Sequence, residues 1–217
     1  MDGVGNSVIY FMNSLKNFAD VVLVANESNI DGVINFNYYL KVHSPNNLLF
    51  YHYSIKDPNL KSLLTLKFKK RIIYYHGITP PKFFPQDSKL FNNCKKGLSD
   101  ISILQDFDLY ISNSTASKTQ FLENLKQNFF GSKKFIIMPP INNFSNKKKY
   151  IKGRILDSEI NFYYCGTIIN HKNVNMLLDV FNQNKKSNFK LSIFTSSSKE
   201  DSLEFLGKEK YSEYLKN

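Results

Sequence analysis

Short, unbroken apolar runs punctuate this chain, and stretches with helical spacing separate them. Val8, Phe11, Met12 and Leu15 follow the i, i+3, i+4, i+7 rhythm of one helix face, with Asn6 or Ser7 placed to cap it. Val21–Ala25 reads as a buried strand, whereas residues 33–43 satisfy helix and strand patterns equally. Leu48–Tyr51 predicts a strand delivering His52 and Ser54 at its end, Leu60–Lys69 a short amphipathic helix, and Arg71–Tyr75 a second buried strand. A helix over 90–104, a strand over Asp108–Ser112, a helix over 115–128 and a strand over Phe135–Met138 follow, the last stopped by Pro139-Pro140.

After the unpatterned, lysine-rich stretch 142–158 a new unit begins. It comprises a strand over Asn161–Cys165, a helix over 173–184 bearing Val174, Leu177, Leu178 and Phe181, a strand over Phe189–Phe194 and a polar helix over 199–216. Apolar strands alternating with helices predict an α/β protein with a parallel sheet covered on both faces. The expected organisation is a first domain over 1–145, a linker over 146–158 and a second domain over 159–217. The first domain would lack its opening strand, because the glycine-rich stretch before the first helix has no strand ahead of it, and the second would be incomplete.

Composition changes this picture little. With 42% hydrophobic and 15% aromatic residues the chain can bury a core. The formal charge of +11 is almost all lysine, since Arg71 and Arg154 are the two arginines. Guanidinium forks carry most planar phosphate and base-edge recognition, so their scarcity argues against specific nucleic-acid binding. An excess of Lys, Asn, Ile, Phe and Tyr, all with A/T-rich codons, accounts for the charge more economically than any partner; peripheral contact with an anionic membrane is the functional alternative. Cys94 and Cys165 lie far apart without CxxC spacing and read as reduced thiols. No apolar run approaches the ~18 residues of a membrane span, no secretory leader is visible, and a cytoplasmic protein is expected.

The candidate chemistry gathers at predicted strand ends. His76 follows Tyr74-Tyr75 and precedes Gly77 and Pro80-Pro81, placing an imidazole at the carboxyl edge of a sheet, where open α/β sheets bind ligands. His52 lies between tyrosines and is open to a structural or a binding role. Asn113 and Ser114, after another strand, serve equally as helix caps or ligand contacts. Gly3-Val4-Gly5 before a helix would offer bare amides to an anion.

Gly3-Val-Gly5, His52, Tyr75-His-Gly-Ile-Thr-Pro80, the Asp108–Ser114 strand end and Gly166-Thr-Ile-Ile-Asn-His-Lys172 occur in the order found in group 1 glycosyltransferases, the retaining enzymes of glycosyltransferase family 4, which the chain resembles. The resemblance implies a GT-B fold, in which two Rossmann-like domains face each other across a cleft, the second being incomplete here. It implies transfer of a sugar from a nucleotide-sugar donor to a glycan or lipid-linked acceptor, with no metal and no cofactor beyond the donor substrate itself. His76 would be the catalytic cleft histidine, with His52, Asn113 and Ser114 as substrate contacts. Gly3 and Gly5 would approach the donor phosphates and the acceptor, and Gly166 and Lys172 would face the departing diphosphate. Thr167 stands where the family has an arginine, and the family's downstream paired-glutamate motif has no counterpart among the 217 residues. A non-catalytic fragment or binding module is the alternative.

Overall fold

The computed structural model describes residues 3–125, 134–140, 160–184 and 189–214. The predicted linker 146–158 and the end of the helix predicted over 115–128 lie outside the described residues. The chain divides into two compact units, residues 1–146 and 147–217.

The larger unit opens with helix α1 (Gly3–Leu15), followed by two three-residue strands, β1 (Leu23–Ala25) and β2 (Val33–Asn35), which pair in parallel with each other. Helix α2 (Phe36–Val42) follows β2 directly. The ambiguous stretch 33–43 is thus strand and then helix. The divide falls at Asn35, whose side chain accepts a hydrogen bond from the Asn37 amide and caps α2.

A four-stranded sheet follows, with β3 (Leu48–Tyr53), β4 (Lys70–Tyr75), β5 (Leu109–Ser112) and β6 (Lys134–Ile137) side by side in chain order. Every neighbouring pair is parallel. Parallel strands added in sequence require crossover connections, supplied here by α3 (Leu60–Thr65), α4 (Lys89–Asp100) and α5 (Thr115–Leu125). Their apolar residues pack with Tyr51, Tyr53, Ile73, Tyr75 and Tyr110 in one core. Two helices are shorter than their patterns: α3 stops at Thr65, and α4 ends at Asp100, the 101–103 segment continuing as a 3-10 turn. Gly97 in α4 has a packing reason, because a Cβ there would lie 2.8 Å from the Lys56 backbone nitrogen. The Gly97 carbonyl also accepts the Tyr53 hydroxyl at 2.7 Å.

Strand residues alternate between faces. Leu49, Tyr51 and Tyr53 of β3 and Ile73 and Tyr75 of β4 belong to the helix-covered core, which leaves Phe50, His52 and Tyr74 on the opposite face. There α1 packs: the Phe11 ring lies 4.3 Å from Phe50 and 5.8 Å, edge-on, from His52. Helix α1 begins at Gly3, so Gly3 and Gly5 form its first turn instead of a loop ahead of it. Asn6 and Ser7 lie inside the helix and do not cap it.

In the smaller unit β7 (Ile160–Cys165) pairs in parallel with β8 (Phe189–Phe194) across helix α6 (Val174–Gln183). Leu206, from α7 (Lys199–Tyr214), joins Val174, Leu178 and Leu191 in its core. Gly207, at φ 76°, kinks α7 midway. Among the described residues no helix is long and apolar enough to cross a membrane. Cys94 is buried and Cys165 exposed, both as free thiols.

Candidate functional site

The site forms where β3, β4 and β5 end together. Strand β4 finishes at Tyr75, and the His76 amide extends its ladder by donating to the Tyr53 carbonyl at 2.9 Å. Gly77 then turns at φ +82°, a left-handed conformation that favours glycine. A Cβ there would also meet the Ser117 Oγ at 2.7 Å, so the turn lies against the first turn of α5. Ile78 is gripped on both backbone groups by one side chain: Gln120 Oε1 accepts from the Ile78 amide at 2.9 Å, and Nε2 donates to the Ile78 carbonyl at 2.8 Å. The Tyr75 hydroxyl also donates to Gln120 Oε1. The loop leaves β4 held as a strand edge would hold it, with α5 in place of a partner strand.

His76, at 9% exposure, is nearly closed off from solvent. Its Nε2 meets the Nδ1 of His52 at 2.9 Å. His52 does not sit at a strand end, as its sequence position suggests; β3 continues through Tyr53, and His52 is in register with Tyr74. Because β3 and β4 are parallel and His76 lies two residues beyond Tyr74 on the same face, this register brings the two imidazoles together. The Tyr74 ring stacks on His76 at 4.3 Å and 22°, and its hydroxyl donates to the Met138 carbonyl at 2.6 Å. Burial, followed by the charge of His76, pushes the His52 imidazole down to about 3, so it is neutral near pH 7.

Asn113 and Ser114 divide their roles. Asn113 Nδ2 donates to the His76 carbonyl at 2.7 Å, while its Oδ1 is buried and has no hydrogen-bond partner among the described residues. Ser114 caps α5, its Oγ accepting from the Ser117 amide at 3.2 Å. Between the loop and the helix lies an open pocket of about 310 Å³, lined by His76 to Thr79 on one side and Ala116, Ser117 and Gln120 on the other. Of the candidate residues in this unit, the structure joins His52, His76 and Asn113 by direct hydrogen bonds and assigns Ser114 to the neighbouring helix cap. Gly3 and Gly5 belong to α1, whose Phe11 reaches the same sheet face.

Gln120 and Tyr74 escaped the sequence reading. Nothing in Thr119-Gln120-Phe121 marks a glutamine that bridges back 42 residues, and Tyr74 reads as ordinary strand core. Gln120→Ala is expected to leave both Ile78 backbone groups and the Tyr75 hydroxyl without their partner, at a cost of about 1–3 kcal/mol. A urea titration followed by circular dichroism measures this; an unchanged midpoint would show that the clamp contributes nothing.

In the smaller unit Gly166 leaves β7, its amide donating to the Phe194 carbonyl at 2.9 Å. A Cβ on Gly166 would lie 3.0 Å from the Tyr164 hydroxyl oxygen, and that hydroxyl donates to the Thr167 carbonyl at 3.0 Å. The loops after β7 and β8 are tied by the Ile168 amide, which donates to Ser197 Oγ at 2.8 Å. Lys172 ends a 3-10 turn (Asn170–Lys172) and is exposed. Its charge, secondary to burial, lowers the affinity of the neighbouring His171 for a proton. Asn173, at φ 51°, turns the chain into α6.

Compared with protein-family models, curated proteins and solved structures, the chain matches none of them.

Proposed function

We propose that this chain serves sugar transfer from a nucleotide-sugar donor to a glycan or lipid-linked acceptor, with His76 at the transfer site. The observation that carries the reading is the setting of His76. A ligand-facing histidine is useful when its ring is held in one orientation beside a space that a ligand can enter. His76 is hydrogen-bonded to His52, stacked on Tyr74, anchored through its backbone to Tyr53 and Asn113, and borders an open pocket at the carboxyl edge of a parallel sheet. Strand-end pockets are the usual ligand sites of open α/β sheets. The resemblance of the ordered motifs to group 1 glycosyltransferases supplies the reaction class.

In such a transfer positive character grows at the anomeric carbon and negative charge grows on the departing diphosphate. Fixed cations and backbone amides aimed at that phosphate lower the barrier. Lys172, exposed in the loop that starts at Gly166, is the cation this reading assigns to the diphosphate, and the Gly166 backbone would face the same group. Gly3 and Gly5 would act through the first-turn amides of α1. His76 and Asn113 would contact the reacting sugar or acceptor. The Asn113 Oδ1, buried and without a partner among the described residues, would accept from a ligand hydroxyl.

Isothermal titration of the whole chain with UDP- and GDP-sugars tests the reading. Micromolar affinity is expected for one donor, weakened at least about tenfold by Lys172→Ala, the loss of one charge-assisted contact. A folded chain that binds none of the panel would overturn it in favour of a non-catalytic module.

A further inference from the structure

The open pocket beside His76 takes its chemistry from a few small residues. None of the described residues lining it is a lysine, an arginine or a carboxylate, which leaves His76 as the one ionisable group on its wall. Gln120, on the α5 side, is committed to both Ile78 backbone groups and to the Tyr75 hydroxyl. Ser117 keeps a free capacity. Its amide donates to Ser114 Oγ at 3.2 Å, and the Ser114 hydroxyl donates in return to Ser117 Oγ at 3.1 Å. Ser117 Oγ is the acceptor in that bond, so its own hydrogen is left without an acceptor among the described residues. Glycine at position 77 leaves room at this oxygen, since a Cβ there would come within 2.7 Å of it. Thr79 adds a second hydroxyl-bearing residue on the loop side, and Ala116 a methyl group on the helix side.

We propose that this pocket is a subsite for one uncharged sugar ring of the acceptor, with Ser117 as its specificity-determining residue. A hydroxyl that already accepts from a neighbour is an oriented donor, and a ring hydroxyl or ring oxygen supplies the acceptor it lacks. Size sets the number of rings. At about 310 Å³ the pocket stands at the lower end of the ~300–1,000 Å³ of small-molecule sites, room for one ring and not for a nucleotide joined to its sugar. Charge sets the class. A diphosphate or a carboxylate is held by fixed cations or by converging amides. No lysine or arginine stands among the described lining residues, and the adjacent Lys118 holds its ammonium 5.2 Å over the Phe135 ring. The first turn of α5 is itself capped by Ser114. The assignment to the acceptor rests on the function proposed above; recognition of a neutral sugar ring does not.

Amide-resolved NMR of the whole chain tests this, with methyl glucoside, methyl galactoside and methyl mannoside as neutral probes and methyl glucuronide as the charged one. At least one neutral glycoside is expected to shift the Gly77, Ile78 and Ser117 amides with millimolar affinity, and the glucuronide to bind more weakly. Ser117→Ala removes one neutral hydrogen bond and should weaken the binding about two- to tenfold. Ala116→Leu, at an exposed position, fills the pocket without touching the Ser114–Ser117 bonds and should abolish it. Absence of these shifts in the folded wild-type chain would overturn the inference, and so would tighter binding of the glucuronide or unchanged affinity in folded Ser117→Ala. Displacement of the glycoside by a UDP- or GDP-sugar would give the pocket to the donor and overturn it as well. The wild-type titration decides even if a variant fails to fold. Glycoside binding in a chain without nucleotide-sugar affinity would keep the sugar subsite and remove the transferase reading; donor affinity without a glycoside response would do the reverse.

Discussion

Replacing Phe121 with alanine is expected to remove about 3–5 kcal/mol from the stability of the larger unit, the range for truncating a fully buried aromatic side chain. Phe121 has no exposed surface and lies where α5 meets the sheet. Its ring is 5.1 Å from Tyr75, 5.7 Å from Tyr110 and 5.9 Å from Phe135, one residue from each of β4, β5 and β6. Removing it opens a void between three strands and a helix whose next turn cannot collapse inward without displacing Leu125, also buried. Single domains are commonly stable by only about 5–15 kcal/mol, so the variant would lose a large part of the margin. Urea unfolding followed by circular dichroism should show a lower midpoint at an unchanged slope. A shift below about 1 kcal/mol would mean that the core repacks around the gap, contrary to the close ring contacts. Because Phe121 follows Gln120, the variant also tests whether the loop after β4 depends on the seating of α5.

The second large effect is acid sensitivity arising from His52. In the folded chain its imidazole is pushed down to about 3, whereas the unfolded chain restores the ordinary value of 6.5. Below pH 6.5 the unfolded state binds a proton that the folded state refuses, so this contribution is complete above pH 6.5 and is lost as the pH falls from there toward 3. The slope is about 1.4 kcal/mol per pH unit, which makes the loss between pH 7 and pH 5 about 2 kcal/mol. Urea midpoints of the larger unit at the two pH values measure it. His52→Phe should be less stable than wild type at pH 7, through loss of the bond to His76, yet should show a flatter decline toward pH 5. His171 is shifted in the same direction but belongs to the smaller unit, so the difference between wild type and variant isolates His52. An equal decline in both proteins would show that His52 is not the source.

The site was legible at one of its ends. His76 stood out because a histidine after an apolar run and before Gly and a proline pair must fall at a strand edge. Its orientation was not legible. His52 and His76 are 24 residues apart, and their contact depends on the parallel register of β3 and β4, which no local pattern specifies. The same holds for Gln120, whose role exists only once α5 lies beside the loop it clamps. Gly3-Val4-Gly5 misled in the opposite sense: glycines favour loops in isolation, whereas in the folded chain they form the first turn of a helix that packs on the sheet through Phe11.

By itself the sequence determined the alternation of strands and helices, since strand runs such as Arg71–Tyr75 and helix faces such as Phe121/Leu125 follow from periodicity and burial, which are local properties. It also marked the stop of β4 at His76, because Gly77 and the prolines that follow constrain the backbone directly. Tertiary structure alone decided how far α3 and α4 extend and which polar residues meet. Helix ends yield to packing: Gly97 is accommodated in α4 because the helix approaches the Lys56 backbone. The histidine pair, the Asn113 brace and the Gln120 clamp all join separate elements. Side-chain chemistry specifies what such groups can do, but only the register and seating of those elements specify which of them touch.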